Sequence, residues 1–323
     1  MATYKEINSA GVQNFSSDPA NPINGQVWYN TTSSTLKVAE VVSTASWASG
    51  GNLNTARRDM GAAGTTDAGL IFGGGSPSNI DTNKTEEYNG TSWTNANNMV
   101  SETNYLAGCG TQTAALALGG NPISDSTAAE EYDGTNWTNG GNMNNTRNKF
   151  GGAGTQTAAL GFGGYGPGIP SAATEEYDGS SWTVGGNLNN GRTQLAGAGT
   201  QTAGLAFGGS SPTTNITEEY NGTAWTAGGN MNTARFDFAG AGTQTAGLAN
   251  GGSVGPATGL EATELYDGSS WTNSQNMTVG KQRHGVAGTQ ASAFSTGGRN
   301  TSPMNTTYEF AGPGTTIETV TTS

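Results

Sequence analysis

The chain has 323 residues, of which 53 are glycine; only 11% are charged, and the net charge is −12 at neutral pH. So acidic a balance disfavours nucleic acid and anionic membranes as partners. No stretch approaches 18 consecutive apolar residues, which argues against membrane insertion, and a lone cysteine, Cys109, permits no internal disulfide and no thiolate metal cluster.

The N-terminal string MATYKEINSAGVQNFSS has no apolar signal core, so export by the usual leader is not expected. Residues 1–40 lie outside any repeat and form a lead-in segment. Within it NGQVWYNTTSSTLKVAE, residues 24–40, predicts a hairpin with Trp28 and Tyr29 on one arm, and these two are the candidate attachment contacts.

From about residue 41 to the end the chain is periodic. Double glycines at 73, 119, 163, 208, 251 and 297 and tryptophans at Trp47, Trp93, Trp137, Trp182, Trp225 and Trp271 both recur at intervals of 46, 44, 45, 43 and 46. Each unit reads as four short strands. An inner pair, as in LAGAGTQTAGLAFGG at 195–209, turns tightly at Gly199-Thr200-Gln201-Thr202, and its small residues suit strands crowded near an axis. An outer pair, as in TEEYDGSSWTVGG at 174–186, is joined at Asp178-Gly179, a strong hairpin signal that sets Tyr and Trp on facing strands. Such a unit cannot bury both its faces alone and must stack on its neighbours. Regular aromatics, with seven Trp and ten Tyr, separate the chain from disordered Gly-rich sequences.

Double glycine, Tyr, Trp five residues later and an Arg opening the next unit together resemble the kelch repeat over about residues 41–310. The resemblance implies an all-β, six-bladed β-propeller of four-stranded antiparallel blades occupying residues 41–323. Arg57, Arg147, Arg192 and Arg235 match the kelch arginine, which in that family enters a buried ion pair. Glu86, Glu130, Glu175, Glu218 and Glu264, two positions before Tyr, are the partners; Thr103 and Lys281 depart from the pattern. Because the Trp series starts before the first double glycine, a strand near Val41 to Trp47 is expected to complete the sheet of residues 281–310 and close the ring, with the tail 315–323 able to pair there too. The lead-in segment is similar to those of bacteriophage fibre and other virion proteins, which implies a virion location.

Catalytic readings are weak. The one histidine, His284, reads as a surface or blade-edge residue, and Cys109 as a small buried residue standing where other units carry Ala. One His and one Cys cannot build a copper centre of the kelch-like oxidases. The Glu-Glu pairs repeat around the units, which suits a structural task better than a glycosidase pair, and GFGGYGPG at 161–168 lacks the Lys-Ser/Thr of a phosphate loop. No cofactor or metal is expected. What varies is the segment after each double glycine, where binding is usually placed; it nominates Asn79, Asp81, Asp125, Tyr165, Ile169, Asn215, Leu260 and Met304. The expected function is a non-enzymatic virion component, in a tail fibre or peripheral appendage, that binds a host surface glycan or another virion protein. A capsid or tail decoration and a polysaccharide hydrolase are the alternatives.

Overall fold

The computed structural model of the protein describes residues 12–19, 26–78, 80–121, 126–255 and 258–319. Among them there are strands and turns and no helix, and the chain divides into two compact units, residues 1–45 with 312–323 and residues 46–311.

The smaller unit is one four-stranded sheet. Val27–Asn30 and Thr35–Ser43 form the expected hairpin, with Gln13–Phe15 parallel to the first arm and Gly314–Thr319 antiparallel to the second. Two expectations are corrected here. The boundary falls after residue 45 rather than 40, and the tail pairs with the lead-in hairpin instead of the closing repeat sheet. At nine residues, Thr35–Ser43 outruns its hairpin partner and offers an edge that the β-branched tail covers. Strand alternation puts Trp28 and Tyr29 on opposite sides. Trp28 is fully buried with its indole N–H donating to Asp18 Oδ1 at 3.1 Å, so it is core and not a surface contact, whereas Tyr29 stays 37% exposed.

Residues 46–311 carry six four-stranded antiparallel sheets among the described residues, consistent with propeller blades. Sheet I is Gly61–Gly64, Gly69–Phe72, Thr85–Tyr88 and Trp93–Ala96; sheet II is Ala107–Thr111, Ala114–Leu118, Ala129–Tyr132 and Trp137–Asn139. Sheet III is Gly151–Thr155, Ala158–Phe162, Thr174–Tyr177 and Trp182–Val184; sheet IV is Ala196–Thr200, Ala203–Phe207, Thr217–Tyr220 and Trp225–Ala227. Sheet V is Ala239–Thr243, Ala246–Asn250, Thr263–Tyr266 and Trp271–Asn273. Sheet VI joins Gly285–Gly288, Ser292–Thr296 and Thr307–Ala311 to Ser46–Ser49 from the far end of the sequence, with Phe310 opposite Trp47.

The inner strands are small-residue because they touch. A Cβ on Gly108 would stand 2.9 Å from the Ala62 nitrogen, and one on Gly197 2.8 Å from the Gly152 oxygen. Both glycines of each pair at 73, 119, 163, 208, 251 and 297 have positive φ, which L side chains rarely adopt, so the exit from each second strand requires them. The outer turn is longer than a two-residue hairpin: Tyr177 pairs with Trp182 across four residues, and Asp178 Oδ1 accepts from the N–H groups of Ser180 and Ser181.

Core packing runs between sheets. Trp137 lies on Phe72 of the preceding sheet with ring centroids 4.8 Å apart, as Trp225 does on Phe162 and Trp271 on Phe207 at 4.9 Å. The indole N–H groups of Trp93, Trp137, Trp225, Trp271 and Trp47 donate to Thr307, Thr85, Thr174, Thr217 and Thr263; where Ala129 replaces that threonine, Trp182 donates to the Gly141 carbonyl.

Candidate ligand-binding face

Arg57, Arg147, Arg192 and Arg235 are buried beside Glu86, Glu175, Glu218 and Glu264, the first pair at 2.7 Å and the last at 3.1 Å. Burial lowers each arginine, Arg235 to about 10, while the carboxylate opposes that shift. Where Thr103 stands, Glu130 accepts instead from the N–H groups of Val100 and Ser101, and burial raises its carboxyl. Where Lys281 stands, its partner position holds Tyr308. The ammonium lies 4.8 Å from that ring and donates to the Thr306 and Ser295 carbonyls, and burial lowers it to about 7. The second Glu of each pair is also engaged: Glu87, Glu131, Glu176 and Glu219 accept from Tyr132, Tyr177, Tyr220 and Tyr266 of the next sheet.

Two residues beyond each of these six positions the side chain varies, with five residue types at six stations: Asp59, Tyr105, Lys149, Gln194, Asp237 and Arg283. All six have φ between +52° and +58°, a conformation costing a non-glycine residue on the order of 1 kcal/mol. That conformation turns each N–H toward the preceding station. Asp59 donates to the Arg283 carbonyl at 2.8 Å, Tyr105 to Asp59 at 2.9 Å, Lys149 to Tyr105 at 3.0 Å, Gln194 to Lys149 at 2.7 Å, Asp237 to Gln194 at 3.1 Å and Arg283 to Asp237 at 2.7 Å. The circuit ends where it began. The same six residues, with the first residues of the inner strands, line a cavity of about 150 Å³.

Their side chains form a network at its mouth. Arg283 donates through Nε to Asp237 at 2.8 Å and through Nη1 to the Tyr105 hydroxyl at 3.0 Å, and Asp59 lies 3.8 Å from it. Asp59 also pairs with Arg58, yet burial raises its carboxyl to about 6 against both arginines. Burial disfavours the Arg283 charge, but Asp237, Asp59 and Tyr105 hold it above the ordinary arginine range. Gln194 donates to Asp237 and accepts from Ser210, and Lys149 sits 4.4 Å from the Tyr105 ring.

The double-glycine segments border this mouth. Arg58, Asn148, Thr193, Phe236 and Gln282, each next to one of the six, bridge to Gly75, Tyr165, Ser210, Ser253 and Arg299. Of the residues the sequence nominates there, Tyr165 is 38% exposed and Ile169 67% exposed, on a small hairpin of Tyr165–Gly166 with Ile169–Pro170. Asp81 accepts from Asn104 at 2.6 Å, and the Asn215 amide donates to the Met231 carbonyl, so both are tied into the fold. Leu260 and Met304 are half-buried, with backbone bonds to Gly252 and Gly298. Asn79 and Asp125 lie outside the described residues.

His284 is a further correction. Its ring is buried with Nε2 3.1 Å from Asn250 Oδ1, because it occupies the position after Arg283 that holds Met60, Leu106, Phe150, Leu195 and Phe238 in the other units. Burial, then the Lys281 and Arg235 charges, lower it to about 3. Cys109 is buried as expected of its place among alanines, and burial pushes its thiol up to about 12.

The six-residue ring escaped the sequence reading, although a signal existed. Aligning the strings RRDM, TNYL, RNKF, RTQL, RFDF and KQRH shows a third column of varied residues, after a first column that is a cation in five strings of six and before a last that is apolar in five of six. Among the described residues no three His, Cys, Asp or Glu side chains converge as metal ligands, and no helix is long and apolar enough to cross a membrane. No protein-family model matches the chain, and no curated protein matches it.

Proposed function

We propose that residues 46–311 are a six-bladed, kelch-like β-propeller, closed by Ser46–Ser49, and that the protein is a non-enzymatic bacteriophage virion component, in a tail fibre or peripheral appendage, binding a host surface glycan. The observation that carries this reading is where the repeats diverge. Arg–Glu pairs, Trp–Thr bonds and small inner strands recur from sheet to sheet, whereas the six left-handed residues and the double-glycine segments beside them differ. Diversity confined to one rim of a uniform scaffold is the pattern of a recognition surface. Support for a ring comes from the six-bond backbone circuit and from sheet VI being completed by the strand at Trp47.

A hydrolase would need a free acid and base facing a substrate. Here both glutamates of the repeated pairs have partners, and Asp59 and Asp237 share Arg283, which favours binding over catalysis. The virion assignment rests on the lead-in hairpin and the Gly/Asn/Thr/Ser-rich composition, and implies other virion proteins as partners.

The test uses particles. The protein is expected to copurify with virions, and replacing residues 165–172 by the 210–216 segment is expected to leave the melting temperature nearly unchanged while weakening adsorption to host cells. Undiminished adsorption would instead favour a structural decoration held through the exposed Tyr29 side of the lead-in sheet.

A further inference from the structure

Resting on the reading that this rim is the recognition surface, we infer that the mouth ringed by Asp59, Tyr105, Lys149, Gln194, Asp237 and Arg283 is a binding site for a single carboxylate group, with Lys149 and Tyr105 as its donors. The backbone circuit does not demand these side chains. Glycine or asparagine would take the left-handed conformation at lower cost, yet the six stations hold charged or polar residues, and together they line one cavity.

The hydrogen bonds within the ring decide what it can still accept. Asp237 is met by Arg283 and Gln194, and Asp59 by Arg58 and Arg283. Both carboxylates are therefore satisfied, and a cation would have to displace arginine to bind. Gln194 is used at both ends of its amide, since its oxygen accepts from Ser210. Arg283 is held by Asp237, Asp59 and the Tyr105 oxygen. Two donors remain. The Lys149 ammonium has the Tyr105 ring beneath it and no ion pair with a described residue. The Tyr105 hydroxyl oxygen accepts from Arg283, which leaves its own proton free to donate elsewhere.

An ammonium over the face of a ring whose hydroxyl also offers a proton suits the two oxygens of one carboxylate, and bonds to a charged partner are the strong ones. Asp59 and Asp237 set the upper limit of charge. A dianion such as a phosphate would meet their repulsion twice over, while a monoanion is balanced by Lys149. The cavity, about 150 Å³, admits a sugar-sized group. Acidic sugars and small free acids share this chemistry.

The experiment titrates the full chain with galacturonate, galactose and lactate, followed by NMR. Galacturonate is expected to bind and galactose, which differs at the acid carbon, is not. Lys149→Met is expected to weaken galacturonate binding at least tenfold and Tyr105→Phe severalfold, with Lys149→Arg retaining most of it. Melting temperatures and the elution volume of each variant confirm that the ring is intact. Galacturonate binding alone assigns the site to acidic sugars, and equal lactate binding assigns it to free acids; both carry the inference. Equal binding of galactose and galacturonate, no binding of either acid, or full affinity in folded Lys149→Met would overturn it. Particle adsorption is a separate readout, so loss of this site and loss of the recognition reading are distinguishable.

Discussion

Several of the residues that break the repeat break it in pairs, although Thr103 stands opposite an unchanged Glu130. Lys281 replaces the arginine where Tyr308 replaces the glutamate, so a buried cation without a carboxylate rests on a ring and two carbonyls. Leu265 replaces the glutamate that would receive a tyrosine hydroxyl where Phe310 replaces that tyrosine, so neither polar group is left alone. His284 and Asn250 likewise occupy together the places that Phe238 and Phe207 hold one sheet earlier, at 5.6 Å between centroids. The histidine makes a measurable difference. Its folded pKa, about 3, lies below the unfolded 6.5, so it contributes stability that is present above pH 6.5 and lost as pH falls toward 3. Lys281, lowered to about 7, acts in a separate window, its contribution being lost as pH falls from 10.5 to 7. Asp59, raised to about 6, has the opposite sign, stabilising below 3.8 and losing that contribution as pH rises through 6, and it is common to both proteins compared. The double variant His284→Phe/Asn250→Phe is therefore expected to show a flatter melting temperature between pH 6.5 and 4 than the parent. Parallel curves would mean that the buried imidazole is not the titrating group.

Each sheet is latched to the one before it by a side chain that the sequence marks only as part of a turn. Gln112, Gln156, Gln201, Gln244 and Gln290 each donate to two carbonyls of the preceding sheet, Gln201 to Ala159 at 3.1 Å and to Tyr177 at 2.6 Å. Sheet I has Thr66 at this position, bonded to Ser292 of sheet VI at 2.8 Å. Gln201→Ala is expected to cost about 2 kcal/mol, because two carbonyls lose their donor at once, whereas Thr66→Ala is expected to cost less than half as much; denaturant unfolding of both variants compares them. Equal losses would contradict the latch. Local chemistry was legible: the Tyr–Trp pairing across the outer turn, the small inner strands and the Trp47 strand beside Phe310 all follow from spacing and residue type. Long-range partners were not. Nothing adjacent to Gln201 names the Ala159 carbonyl, nothing in the tail names Thr35–Ser43 as its neighbour, and positive φ at Lys149 or Tyr105 is unmarked because neither residue favours it.

At the scale of residues 46–311, a uniform frame and a varied rim divide the work. Buried Arg–Glu pairs, Trp–Thr bonds and the glutamine latches repeat from sheet to sheet, and this redundancy lets the six stations at the cavity mouth differ without endangering the fold. Within residues 46–311 comparison of the repeats offered loops alone as binding candidates; the ring beside them adds a fixed polar centre with Tyr165 and Ile169 at its border. We propose that this rim meets the host. Electron cryomicroscopy of purified particles tests it most directly: the expected result is a six-lobed ring on a tail fibre or appendage with the Lys149 mouth turned outward. Particles lacking the ring, or a ring whose mouth is packed against the particle, would contradict it.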